Sequence, residues 1–125
     1  MILLLDAHAL LWWLAGDPRL AHQARAAIGD ETNDVVVSAA SVWELGIKQA
    51  KCKLKLSDDL LPNIGHAGFK TLSITLEDGH AAAGLPAHHR DPFDRMLIAQ
   101  AMRIDAVIVS RDRAFAAYDV QQLLA

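Results

Sequence analysis

Asp91 and Asp94 stand where the loop residues His88, His89 and Arg90 run into the patterned stretch Pro92-Phe93-Asp94-Arg95-Met96-Leu97-Ile98-Ala99-Gln100-Ala101. Asp91 suits an N-cap, and Pro92 suits the first helical position, where its missing N–H would have no helical partner. Phe93, Leu97 and Ala101 then share one face, widened by Met96 and Ile98, so a half-buried helix is expected. Asp94 falls in its first turn, where the positive end of the helix dipole favours an ionised carboxylate that a metal could use. The structural alternative is a capping-box variant, in which Asp94 bonds back to the N–H of the capping Asp91.

Further acids are tied to the apolar runs. Asp6 directly follows Ile2 to Leu5, Glu44 lies in the helix expected after Val35 to Val37, and Asp112 comes shortly after Ala106 to Val109. In an open parallel sheet, ligands bind beyond the carboxyl ends of the strands where strand order reverses. Asp6, Glu44, Asp94 and Asp112 could therefore meet in one crevice. Each also has a local explanation: Asp6 and Asp112 as helix caps, and Glu44 as the partner in a Ser41-x-x-Glu44 capping box. One site geometry accounts for all of these positions, whereas capping must be invoked separately for each. Crowded carboxylates repel one another and bind hard divalent cations such as Mg²⁺ or Mn²⁺. With a substrate phosphate completing the site, one or two such ions can activate a water for in-line attack on phosphorus, paired ions lying about 3.5–4 Å apart. That chemistry needs no Ser, Cys or His nucleophile.

The elements that must position these acids follow from pattern and punctuation. Strands are expected at Ile2 to Leu5, Val35 to Val37, Phe69 to Ile74, Ala106 to Val109 and, at the edge, Val120 to Leu124. Helices are expected from His8 to Ala15 ending at Gly16, from Asp17-Pro18 to about Ile28, and from near Ser41 to Ala50. Ser57-Asp58-Asp59 opens another, with Pro62 tolerable in its first turn, and Lys51 to Lys55 reads as a loop. Thr75-x-x-Asp78 caps a helix ending at Gly84, and a short helix is expected over Arg113 to Tyr118. Short apolar strands alternating with helices indicate an α/β fold with a parallel sheet.

Composition bounds the possibilities. With 125 residues, 53% of them hydrophobic, the chain can bury a large core as one domain, or hide further apolar surface against a partner. A net charge of −3 removes the broad basic field that drives non-specific nucleic-acid binding, so local arginines or a metal must supply any such attraction. The single Cys52 cannot form an internal disulfide and suits a reducing cytoplasm. Ile2 to Leu5 lacks a basic leader and reads as a strand, and no apolar run reaches membrane-spanning length.

With those acids in place, the chain resembles the PIN-domain ribonucleases, most closely VapC-type toxins of bacterial toxin–antitoxin pairs. The resemblance runs almost end to end through LLLDAHALLWWL, SAASVWELGIKQAKCKL, LPAHHRDPFDRMLIAQA and VIVSRDRAF. It implies a three-layer α/β/α sandwich with a central, mainly parallel sheet, a carboxylate cluster holding Mg²⁺ or Mn²⁺, metal-dependent cleavage of RNA, homodimers, and inhibition by a cognate antitoxin. By motif position Asp6 resembles the first-strand ligand, Glu44 the acid of the middle motif, and Asp94 the acid opening the helix after the DPF sequence. Asp112 matches the SRD motif, binding metal directly or through water, and Asp91 is better placed as the cap. Ala7 departs from the pattern, since relatives often carry a small hydroxyl there; Ser110 keeps a hydroxyl near the other strand end and could support Asp112.

His88 and His89 lack zinc-ligand spacing and read as a solvated loop able to touch RNA phosphate. Arg90, Arg95, Arg111 and Arg113 flank the acids, either to bind substrate phosphate or to pair with those acids. Trp12, Trp13 and Trp43 suit core or interface better than base stacking. Lys48, Lys51, Lys53 and Lys55 form the best basic row for an RNA backbone, with a solvated face as the plainer reading. Two rivals to the nuclease are a phosphoacceptor receiver domain, whose paired acids after strand one and late Lys are missing here, and a catalytically idle PIN-like binding module.

Overall fold

A computed structural model describes residues 1–51, 55–56 and 58–125. The strands β1 (Ile2–Leu5), β2 (Asp34–Ser38), β3 (Lys70–Leu72), β4 (Val107–Ser110) and β5 (Gln121–Leu124) form one all-parallel sheet in the order β3-β2-β1-β4-β5. Helices α1 (Ala7–Ala15), α2 (His22–Gly29), α3 (Ala39–Ala50), α4 (Leu60–His66), α5 (Leu76–Gly84) and α6 (Pro92–Ile104) connect them, with a 3-10 helix at Arg113–Ala117 before β5.

Alternation along the buried strands sorts their side chains into two cores. Leu3, Leu5, Val35, Val37 and Val109 pack with Leu10 of α1, Ala24 of α2, Leu45 of α3 and Ile64 of α4. Leu4, Val36 and Ile108 face the other way, onto Leu97, Ile98 and Ala101 of α6 and onto Phe115. Each central strand is therefore apolar on both faces, as a parallel sheet between helical layers requires. Of the expected stripe, Leu97 and Ala101, with Ile98, cover the sheet from α6, while Phe93 at its start meets Trp43 edge-on; α5 packs on the flank of α6.

The chain runs outward from β1 through β2 to β3, then returns to the other side of β1 with β4 and β5. Strand order thus reverses between β1 and β4, where Leu5 lies beside Val109 and the Asp6 N–H donates to the Val109 carbonyl at 3.1 Å. That reversal sets Asp6 next to Ser110 and makes this edge the place for a site.

Several boundaries differ from the sequence reading. The second helix begins at His22 rather than at Asp17-Pro18, because the Asp17 carboxylate accepts the Arg19 N–H at 2.8 Å and closes a turn instead of capping a helix. Helix α3 begins at Ala39, capped by Ser38, whose hydroxyl accepts the Ala40 N–H at 3.0 Å. Ser41 lies inside that helix and donates to the Leu5 carbonyl at 3.2 Å, so the Ser41-x-x-Glu44 capping box does not form and Glu44 is held for another reason. Strand β3 is only Lys70–Leu72, since the chain turns away toward the Thr75 capping box, in which Thr75 and Asp78 satisfy each other's N–H at 3.1 Å. Cys52, Lys53 and part of the 51–55 loop, with Ser57, lie outside the described residues.

Candidate metal centre

Asp6 reaches the sheet edge because β1 ends there and α1 begins at once. Its Oδ1 accepts the Ala9 N–H at 2.8 Å, capping α1, and the Ser110 hydroxyl at the end of β4 stands close enough to hold the same carboxyl down. Burial pushes this carboxyl up, the bonds from Ser110 and Ala9 pull it back, and the nearby Glu44 charge raises it further. The cap reading and the site reading of Asp6 are both true, because the carboxylate serves both ends of its surroundings.

Asp112 is built the same way. Its Oδ1 accepts the Ala114 N–H at 2.9 Å to cap the 3-10 helix, and its N–H donates to the Ser110 hydroxyl oxygen at 3.0 Å. Oδ2 is turned inward, 3.6 Å from Nε2 of His89. Ser110 therefore stands beside both acids that follow β1 and β4.

On the third side, the Asp91 carboxylate accepts the N–H groups of Phe93 and Asp94 at 2.9 and 3.0 Å and so caps α6. Asp94 does not complete a capping box. Its Oδ2 lies 2.7 Å from His89 Nε2, in a pair whose side chains are only 17% and 15% exposed. Burial pushes the Asp94 carboxyl up to about 6; the His89 bond opposes the shift, and the charges of Asp91 and Asp6 add to it.

His89 is the residue that the sequence reading missed. Instead of a solvated loop side chain, it is half buried between two acids. Its N–H donates to the Tyr118 hydroxyl at 2.9 Å, its carbonyl accepts from Arg95 at 3.2 Å, and its ring meets the buried Phe115 edge-on with centroids 6.1 Å apart. Adjacent histidines carry no ligand spacing, and the bonds that separate buried His89 from exposed His88 come from residues some thirty positions later in the chain.

Glu44 approaches from the middle of α3. It is near enough to Asp6 to raise that carboxyl, yet its Oε2 is paired with Lys48 Nζ at 2.8 Å one turn along the helix. The charge of Lys48 is thus committed to Glu44 and not to an open basic row. His89, Asp94 and Asp112 form the close set; Asp6 lines the same cleft as Asp112 and is near enough to raise the Asp94 carboxyl, and Glu44 stands beside Asp6.

The arginines separate sharply. Arg95 was a candidate for substrate phosphate, and the structure corrects this: Nη2 donates to the carbonyls of Ala82 and Leu85 at 2.8 Å each, and Nη1 to those of Pro86 and His89 at 3.0 and 3.2 Å. Its fork fastens the loop that carries His89. Arg111 forms no ion pair with an acid among the described residues; it donates to the Arg19 carbonyl and lies over the Trp12 ring, 4.4 Å from the centroid. It lines a cleft of about 390 Å³ with Asp6, His8, Trp12 and Asp112. Arg90 is exposed and forms no ion pair among the described residues.

This donor set fits a divalent cation. One atom each from His89, Asp94 and Asp112 lies within 4.8 Å of the others, and buried Asp6 adds a further negative charge. A buried carboxyl forced upward by burial and by like charges is relieved when a cation binds.

A parallel α/β domain with carboxylates gathered where strand order reverses is an arrangement that can hold a divalent cation. The PIN domain family model matches residues 3–121, and the chain belongs to that family. Solved structures with the same fold include VapBC2 from Rickettsia felis bound to a promoter DNA fragment, 12% identical over 99% of this chain and 98% of that one, TM-score 0.73. DNA-bound VapBC from Salmonella typhimurium is 14% identical over 99% and 98%, TM-score 0.67. VapBC-1 from nontypeable Haemophilus influenzae is 18% identical over 98% and 97%, TM-score 0.63. Comparison with curated proteins finds no match. Among the described residues, no helix is long and apolar enough to cross a membrane.

Proposed function

We propose that this chain is the toxin of a toxin–antitoxin pair and acts as a Mg²⁺- or Mn²⁺-dependent endoribonuclease. The observation that carries the reading is the convergence of His89, Asp94 and Asp112 beside Asp6 at the β1/β4 reversal. Structural neighbours solved as VapBC complexes support an antitoxin as partner, and a homodimer is the expected assembly.

A divalent ion in this site supplies the positive charge that polarises a phosphodiester and makes water a usable nucleophile near neutral pH. The chain's own part is to hold its donors still. Asp6 and Asp112 are fixed by the helices they cap, so neither loses side-chain freedom when substrate arrives. Arg111, flattened on Trp12 at the cleft wall, presents a guanidinium toward an RNA phosphate. His8 lines the same cleft and is exposed, where its ring can meet an unstacked base.

The test is cleavage of mixed cellular RNA by the purified chain, with Mg²⁺ or Mn²⁺ and with chelator, beside Asp6→Ala. Metal-dependent cutting that disappears in the variant is expected. A folded, metal-loaded protein that leaves every RNA intact, alone and after release from its antitoxin, would instead make it a binding module.

A further inference from the structure

We infer that His89 is a metal ligand, making this a mixed imidazole–carboxylate centre that selects Mn²⁺ over Mg²⁺. The inference rests on the divalent-ion reading above but goes beyond it, since an all-oxygen cluster would place no nitrogen on the bound ion.

His89 Nε2 stands 2.7 Å from Asp94 Oδ2 and 3.6 Å from Asp112 Oδ2. Neighbouring ligand atoms on an octahedral ion with bonds of about 2.1 Å lie about 3 Å apart, and His89 Nε2 stands close to that spacing from both acids. The imidazole is also built in rather than passing by. Its backbone is held on both sides, by the Tyr118 hydroxyl at 2.9 Å and by Arg95 at 3.2 Å, and its ring is set against Phe115. Phe115 lies in the 3-10 helix that Asp112 caps, and Tyr118 follows it directly. One short segment therefore positions the histidine and one of the acids together. A surface histidine that merely neutralised Asp94 would need none of this support.

The choice of ion follows from donor chemistry. Mg²⁺ gives up water reluctantly and prefers oxygen, whereas imidazole suits the softer first-row ions, of which Mn²⁺ also accepts carboxylates readily. Replacing one oxygen by nitrogen tilts the site toward Mn²⁺.

The experiment is Mn²⁺ and Mg²⁺ titration of the full chain without RNA, by calorimetry, together with pulsed electron paramagnetic resonance of the Mn²⁺ form. Wild type is expected to bind Mn²⁺ about tenfold or more tighter than Mg²⁺ and to show a histidine-nitrogen coupling on Mn²⁺. In His89→Ala the coupling disappears and Mn²⁺ affinity falls about tenfold or more, while Mg²⁺ affinity changes little. His89→Gln, which keeps a hydrogen-bond donor for Asp94, is included with melting curves in chelator to show that the fold survives. Bound Mn²⁺ with no nitrogen coupling, equal or tighter Mn²⁺ binding in His89→Ala, or no Mn²⁺ binding at all would overturn the inference. RNA cleavage with Mn²⁺ but no coupling would sink the ligand role and leave the nuclease standing. Coupling without cleavage of any RNA would do the reverse.

Discussion

The Ser110 hydroxyl accepts the Asp112 N–H at 3.0 Å and stands close enough to Asp6 to hold its carboxyl down, so one oxygen serves the acids that follow β1 and β4. Ser110 is itself fully buried, which leaves no water to replace it. Ser110→Ala is therefore expected to weaken divalent-ion binding by about tenfold and to lower cleavage correspondingly, with a loss of stability on the order of 1–3 kcal/mol. Ion titration and a denaturant melt read the two effects separately; unchanged ion affinity would remove Ser110 from the site.

Asp94→Asn should abolish cleavage, because the amide keeps the shape and loses the charge that holds a cation. Its effect on the metal-free fold has the opposite sign. The Asp94 carboxyl is raised from 3.8 to about 6 on folding, so its contribution to stability is fully present below 3.8 and is lost as pH rises through about 6. In chelator at pH 7 the Asn variant should be the more stable protein, by at most about 3 kcal/mol, and the difference should vanish near pH 4. Melts of both proteins across that range decide it; a variant less stable than wild type at pH 7 would show that the His89 bond outweighs burial.

Much of this site was legible in the sequence, for a physical reason. Asp6, Asp91, Asp94 and Asp112 sit at strand ends or helix starts, and those positions are fixed by local rules of capping, proline placement and apolar runs. The acids announce themselves because they begin the elements. What local rules do not reach is the pairing of distant side chains. Arg95 looks like a cation flanking an acid, and only the packed α5–α6 loop reveals that its donors go to carbonyls. His89 looks solvated until Tyr118 and Phe115 close on it. The Ser41-x-x-Glu44 pattern fits a capping box and yet fails, because Ser38 caps three residues earlier and frees Ser41 to bond the end of β1.

Arg95→Lys should loosen that loop. A lysine carries a point charge and cannot divide its donors among four carbonyls as the guanidinium fork does. A destabilisation of roughly 1–3 kcal/mol is expected, with reduced Mn²⁺ affinity because His89 loses its carbonyl anchor. Thermal melts and ion titration check this, and a variant indistinguishable from wild type in both would show that the loop holds its shape without the fork.

Asp78 supplies a pH dependence far from the site. It is 1% exposed, and burial alone would raise its carboxyl; Arg103, at 2.6 and 3.0 Å, and the Thr75 bonds together outweigh burial and hold it below its ordinary value of 3.8. A depressed carboxyl contributes stability that is present above the unfolded value and is lost as pH falls through the folded one. Asp78→Asn should therefore be less stable than wild type at pH 7, on the order of 2–4 kcal/mol, since it strands Arg103 and weakens the α5 cap. As pH drops below about 4 the wild-type advantage should shrink, because protonation of Asp78 removes the same charge. Denaturant melts of both proteins from pH 7 to pH 3 measure the gap; a gap constant over that range would mean that the capping geometry, and not the ion pair with Arg103, ties α5 to α6.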